Sequence, residues 1–223
     1  MIRKLASLII ALALLAGLGW LGVSRWTPGR ETYPVQGVDV SRIQGEIDWN
    51  AVHSAGADFA YIKASEGSDL RDDRFAGNWA GTADAGLKRG AYHFFSLCRT
   101  GRAQATNFIA MVPREDEALP PAAVLALVGN CELRPSRDRL LAEVATFIQM
   151  VEAHSEKPIM IQVTRDFESR YRISEAINRP LWLRSTGLKP GYGAHDWVMW
   201  QASRMHRMEG IDGPVDWNVV RPQ

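Results

Sequence analysis

The run Val35–Ser65, VQGVDVSRIQGEIDWNAVHSAGADFAYIKAS, carries the alternation on which the fold turns. Val35–Val40 is a short, mostly apolar run of strand length. Asp48–Gly56 (DWNAVHSAG) opens on a helix-capping aspartate and closes on a glycine, so it reads as a short helix. Asp58–Ser65 (DFAYIKAS) is a second strand. The same strand-helix unit recurs downstream. Arg74–Gly86 is helical, Arg89–Phe95 (RGAYHFF) is a strand, and Gly101–Val112 is a helix stopped by Pro113. Ala122–Val128 is a fourth strand, Arg137–Ser155 a long helix capped by Ser136, Pro158–Val163 a fifth strand and Arg165–Ile173 a helix. In the last third, Pro180–Ser185, Asp196–Ser203 and Val215–Val220 read as strands with little helix between them.

Strands that are apolar on both faces and alternate with helices predict a parallel sheet covered by helices. A closed barrel and a doubly wound sheet both satisfy this pattern. No glycine-rich phosphate loop comes after the first strand, so a dinucleotide-binding fold has no support. In a barrel, the site lies at the C-terminal ends of the strands. That is where polar residues interrupt the apolar runs: Asp39 and Ser41, Lys63 and Glu66, Tyr92 and His93, then Gln201 and Asp216.

The 223 residues fit one barrel domain, and the formal charge of +1 leaves no basic footprint for nucleic acid. Ahead of the domain, Arg3 and Lys4 precede the 19 uncharged residues Leu5–Val23. As a helix this run spans about 28 Å, close to the hydrocarbon thickness of a bilayer. Residues 1–24 therefore read as a membrane anchor or signal segment, the length favouring an uncleaved anchor over a cleaved signal. The flanking positive charges place the domain outside the cytoplasm: an inner-membrane protein with its domain on the periplasmic or extracytoplasmic side, or a secreted one if the segment is removed. Residues 25–34 read as a linker, polar with proline and glycine, and residues 35–223 as the domain. In an oxidising compartment the two cysteines, Cys98 and Cys131, are expected to form a disulfide. Neither has a His or Cys neighbour at zinc-like spacing, and no metal or cofactor is expected.

Six fragments, GVDVSRIQGEIDW (37–49), YIKASEG (61–67), GAYHFF (90–95), PLWLRS (180–185), MWQAS (199–203) and GIDGPVDWNVV (210–220), occur in this order over nearly the whole domain. Together they resemble the family 25 glycoside hydrolases, the Chalaropsis-type lysozymes. The resemblance implies an irregular (β/α) barrel with a helix-poor last third. It also implies hydrolysis of the β-1,4 bond between N-acetylmuramic acid and N-acetylglucosamine, so that the partner is a peptidoglycan glycan strand. By the same resemblance Asp39 and Asp216 match the family's first-strand and last-strand aspartates. Tyr61, Lys63, Tyr92, His93, Trp182, Trp200 and Gln201 fall where the family lines its sugar groove, and Glu66 lies close by.

The family's central Asp-x-Glu motif, at the end of the fourth strand after LPP, falls on Val124 and Ala126. Alternate strand residues share a face, so these two positions sit together, and the resemblance implies that this face lies beside the scissile bond. In the family the glutamate protonates the departing oxygen and the aspartate orients the substrate's acetamido group. Here both positions hold hydrocarbon. The expectation is thus a lysozyme-like domain that acts on or binds peptidoglycan with reduced or lost catalysis. The alternative is a non-catalytic scaffold or interaction protein of the cell envelope. Glu132, beyond the Gly129-Asn130 turn, is a neighbouring acid to be placed by the structure.

Overall fold

The computed structural model describes residues 22–222 together with residues 12, 14, 15, 17, 19 and 20. Nine strands form one sheet: β1 (Gln36–Val40), β2 (Phe59–Glu66), β3 (Leu70–Arg71), β4 (Lys88–Phe94), β5 (Ala122–Leu125), β6 (Met160–Val163), β7 (Leu181–Arg184), β8 (Trp197–His206) and β9 (Val215–Val220). Their order is β1-β9-β8-β7-β6-β5-β4-β2-β3, and β1 also pairs with β2. That last pairing closes eight strands into a barrel, leaving the two-residue β3 as an antiparallel flap on β2. Pairings from β1 through β2, β4, β5, β6 and β7 to β8 are parallel, whereas β9 runs antiparallel to both β8 and β1. One reversed strand makes the barrel irregular and removes the need for a crossover helix between β8 and β9.

The helices are α1 (Trp49–Ser54), α2 (Phe75–Asp84), α3 (Gly101–Ile109), α4 (Arg137–Ser155), α5 (Arg165–Tyr171) and α6 (Ile173–Ala176). Side-chain caps start several of them: Asp48 accepts from Ala51 N at 3.1 Å, Thr100 from Ala103 N at 3.3 Å, and Ser136 from Arg139 N at 3.4 Å. In α4 the buried residues Leu140, Val144, Phe147, Ile148 and Val151 form the stripe that packs on the barrel. The helix expected over 165–173 is two helices, broken at Arg172, which has φ 48°. The buried Glu168 carboxylate makes the break stable by accepting hydrogen bonds from Ile173 N, Ser174 N and Ser174 Oγ at the start of α6. The strand expected to end at Val128 ends at Leu125.

Two apolar clusters arise from strand alternation. The larger lies between barrel and helices and holds Ala123 and Leu125 of β5; the smaller fills the barrel interior with Phe59, Tyr61, Ala122, Met160, Trp182 and Met199. Glycine makes this interior possible. A Cβ on Gly37 would stand 2.2 Å from the Phe59 carbonyl oxygen, and one on Gly90 would stand 2.5 Å from the Tyr61 ring.

Residues 25–34, expected to be a linker, lie along the outside of β8 where no helix covers it. Tyr33 packs on Trp197 and Trp200 with centroids 6.2 and 5.8 Å away, and Trp26 on Trp200 at 6.5 Å. Arg207 N donates to Ser24 O at 2.8 Å, and Gln36 Nε2 donates to Pro28 O at 2.9 Å. Arg30 pairs with Asp58 at 3.0 Å. The segment is a strap that supplies the cover a helix would otherwise give. The membrane segment expected over Leu5–Val23 lies largely outside the described residues. Among the described residues no helix is long and apolar enough to cross a membrane. Those from Leu12 to Arg25 are helical, and Leu12, Leu14, Leu15, Trp20 and Val23 are exposed.

Candidate active site

The end of β1 and the start of the antiparallel β9 bring Asp39 opposite Asp216 at the barrel mouth. Asp39 is 8% exposed, and its Oδ1 accepts from Asn218 Nδ2 at 2.7 Å. Burial, and then the charge of Asp216, push the Asp39 carboxyl well above the usual carboxylate range. Asp216 is less enclosed. Burial raises it as well, while Arg184 and Arg204 pull it back. The two residues are cross-strand partners in the β1–β9 pairing, and burial together with the neighbouring charge favours the protonated form of Asp39.

A polar network holds this pair. Trp182 Nε1 donates to Asn218 Oδ1 at 2.9 Å, which fixes the amide so that its nitrogen faces Asp39. Gln201 Oε1 accepts from both Gln162 Nε2 at 2.9 Å and Arg184 Nε at 3.1 Å. Gln201 Nε2 is buried without a hydrogen bond of ordinary geometry, and the side chain lies close enough to Asp216 to favour its ionised form. Tyr92 is half-buried at the mouth. Burial and then the charges of Asp39, Asp216 and Asp72 raise its pKa, so its hydroxyl remains a donor. Lys63 and Glu66 form an ion pair of 2.6 Å at the end of β2, with Lys63 Nζ 5.4 Å from the centre of the Phe94 ring.

Beneath the carboxyl pair, Tyr61 and Trp182 form a buried floor with ring centroids 5.2 Å apart. Tyr61 OH donates to Pro120 O at 3.0 Å, and its pKa is raised by burial. Two of the expected groove residues are placed elsewhere. His93 lies in the shell between barrel and helices, fully buried, its ring centroid 4.9 Å from that of Phe147. Its Nδ1 meets Ser65 Oγ at 2.8 Å and its Nε2 meets Gln104 Oε1 at 3.2 Å. Burial depresses its pKa to about 3, so it is a neutral core histidine. Trp200 faces outward under the strap, its Nε1 donating to Ser185 O at 2.6 Å. Sequence reading missed Arg184, Asn218 and Gln162. All three share the signal of the residues it found, a polar side chain inside an otherwise apolar strand.

The opposite wall of the mouth is β5. Val124 pairs in register with Phe94 on one side and Gln162 on the other. It shares its face with Ala122 of the interior cluster, whereas Ala123 and Leu125 point to the helices. Val124 is 4% exposed and Ala126 2%. Beyond them the chain turns back: Asn130 Nδ2 donates to Ala126 O at 3.1 Å and to Phe95 O at 2.7 Å. The Cys98–Cys131 disulfide ties this turn to the loop after β4. Glu132 is exposed on the far side of the turn. The mouth thus holds a buried carboxyl pair, a cation and several amides facing a hydrocarbon wall. No group of three or more His, Cys, Asp or Glu side chains able to hold a metal occurs among the described residues.

A parallel barrel closed by one reversed strand, with paired carboxyls at its C-terminal rim, is a (β/α) barrel whose chemistry belongs to acids and bases. The chain is a member of glycosyl hydrolase family 25, whose family model, "Glycosyl hydrolases family 25", matches residues 38–211. It is 33% identical to Lysozyme M1 of Streptomyces globisporus over 216 residues, 91% of this chain and 73% of that protein. It is 32% identical to the uncharacterized protein YegX of Escherichia coli K12, covering 84% of this chain and 70% of YegX. Its fold superposes on a family 25 glycosyl hydrolase from Bacillus anthracis with a TM-score of 0.80, at 32% identity and covering 90% and 94% of the two chains. For the lysozyme of Streptomyces coelicolor the TM-score is 0.76, at 32% identity over 85% and 93%.

Proposed function

We propose that this protein is an exported, membrane-tethered lysozyme-like domain that engages peptidoglycan glycan strands, with the hydrolytic activity of its family reduced or lost. Family membership supports the substrate. The observation that carries the rest is the interior face of β5, where Val124 stands across the mouth from Asp39 and Asp216, with buried Ala126 just past the strand's end. Cleaving a glycosidic bond releases an alkoxide, which leaves poorly unless a positioned acid protonates it, and losing that acid typically costs about 10²–10⁴ in rate. The raised pKa of Asp39 favours its protonated form, but Asp39 and Asp216 both lie across the barrel from β5. Glu66 is engaged by Lys63. Tyr92 and Arg184, both partly exposed at the mouth, remain to meet a sugar chain. The tether reading rests on the Leu5–Val23 run and its flanking charges.

The test is incubation of the purified full chain with peptidoglycan sacculi, measuring saturable co-sedimentation and reducing ends together. Saturable binding with slow or absent release of reducing ends is expected. The doubly substituted Val124→Asp/Ala126→Glu protein should release them faster by about 10²-fold or more. Release by the unaltered chain at the rate of an active family member would overturn the loss of catalysis. Absence of binding would overturn the glycan reading and leave a scaffold role.

A further inference from the structure

The barrel has a second opening, at the end opposite the mouth. Here the N-terminal ends of the parallel strands and the end of β9 surround a cavity of about 510 Å³. Its walls are Phe59, Tyr61, Met160, Met199 and Val220, and its rim includes Leu119, Pro120 and Pro180. Tyr61 is both its ceiling and the floor of the mouth above, so one aromatic layer divides the barrel into a polar half and an apolar half.

Three features define what this cavity takes. First, apart from Lys88 at the rim, the polar side chains that line it are already paired: Tyr61 OH is given to Pro120 O, and Asp58 is held by Arg30 and by Gln36 N. Water inside would find no free partner, and apolar cavities of this kind prefer hydrocarbon. Second, the apolar wall continues outward onto exposed Val35 and Val198, 44% and 42% exposed, so a long ligand is guided in along hydrocarbon. Third, Lys88 at the rim has a 64% exposed side chain and a loose 3.5 Å contact with the more exposed Glu117, a pair worth little. Its ammonium is free to meet an anion. The volume lies within the range of small-ligand sites.

We infer that this basal cavity binds the hydrocarbon chain of an unesterified fatty acid, with Lys88 holding its carboxylate at the rim. A two-chain phospholipid fits less well, because the single cavity would leave its second chain outside on the rim. The cavity is separated from the carboxyl pair by Tyr61 and Trp182, so this is a site distinct from the sugar groove.

The test uses the purified full chain in fluorinated octyl maltoside, whose tails mix poorly with hydrocarbon, with a diazirine-bearing hexadecanoic acid, mapping cross-links by peptide mass spectrometry. Labelling is expected in peptides containing Met160, Met199 and Val220. Unlabelled fatty acids should compete about fourfold better with each added methylene until the cavity is full, and no better beyond that. Val198→Trp, which plugs the entrance from the surface, should abolish labelling of these three peptides while leaving that of the N-terminal apolar segment unchanged. Lys88→Glu should weaken it severalfold. Labelling that is indifferent to Val198→Trp, or competition that keeps rising with chain length, would overturn the proposal, as would equal competition by a diacyl phospholipid. Unchanged circular dichroism of both variants separates loss of the site from loss of the fold.

Discussion

At the scale of single residues, electrostatics distinguish Asp39 from His93, although both are buried polar groups on barrel strands. Burial and a neighbouring carboxylate raise the folded pKa of Asp39. An acid with a raised pKa binds its proton more tightly when folded. That costs stability once the pH exceeds the ordinary value of 3.8, where the unfolded chain ionises. Asp39→Asn keeps an acceptor for Asn218 and removes the ionisation. It should therefore raise the melting temperature at pH 7, and the gain should vanish near pH 4. A melt at both pH values checks this, and equal effects at the two would refute it. His93 has the opposite sign of consequence. Its pKa falls from 6.5 to about 3 in the fold, so the unfolded state alone gains a proton between these values. Stability due to this site is full above pH 6.5 and declines as the pH drops toward 3. His93→Gln should flatten that decline in urea midpoints measured from pH 7 to pH 4. Val124 and Ala126 act at the same scale. They are well suited to packing, which is why no local strain marks the position where an acid is expected.

At the scale of elements, a disulfide and an N-terminal strap tie the barrel in addition to its helices. The Cys98–Cys131 bridge closes a loop of 33 residues and joins the segments after β4 and β5. In the chain-entropy model such a loop stabilises by about 3–4 kcal/mol, so Cys98→Ala/Cys131→Ala should lower unfolding free energy by that order in urea titrations. The strap over 25–34 does for β8 what α4 does for β4 and β5. Tyr33 reaches both Trp197 and Trp200. Tyr33→Ala should cost about 1–3 kcal/mol and should make the chain before Val35 more sensitive to limited proteolysis. A strap that contributed nothing would leave both measurements unchanged.

At the scale of the whole molecule, closure decides everything else. The barrel exists because β1 pairs with β2 and β9 at once, joining residues near both ends of the domain. Gly37 stands in that seam with no space for a methyl group. Gly37→Ala should destabilise by about 1–3 kcal/mol or more and would do so by opening the β1–β2 pairing, read as early hydrogen exchange in those two strands. The same closure creates both chambers, the polar mouth and the apolar base. It does so with one layer of rings, Tyr61 and Trp182, whose burial is complete or nearly so.

Local signals in the amino-acid chain suffice for the alternation of strands and helices, most element positions, the disulfide, the family and the placement of Asp39 and Asp216 at strand ends. Each such signal is short-ranged: a cap, a glycine stop, an apolar run or an ordered set of fragments. Which face of each strand looks inward depends instead on how the barrel closes. Strands of a parallel barrel are apolar on both sides, so alternation along the chain does not separate barrel interior from helix contact. For that reason His93 and Trp200 read as groove residues and lie outside the barrel interior, while Arg184, Asn218 and Gln162 went unread and sit in the polar network at its mouth. The strap was illegible for a related reason. Its polar, proline-containing composition describes a linker, and only the uncovered flank of β8 gives Tyr33 and Trp26 something to bury against.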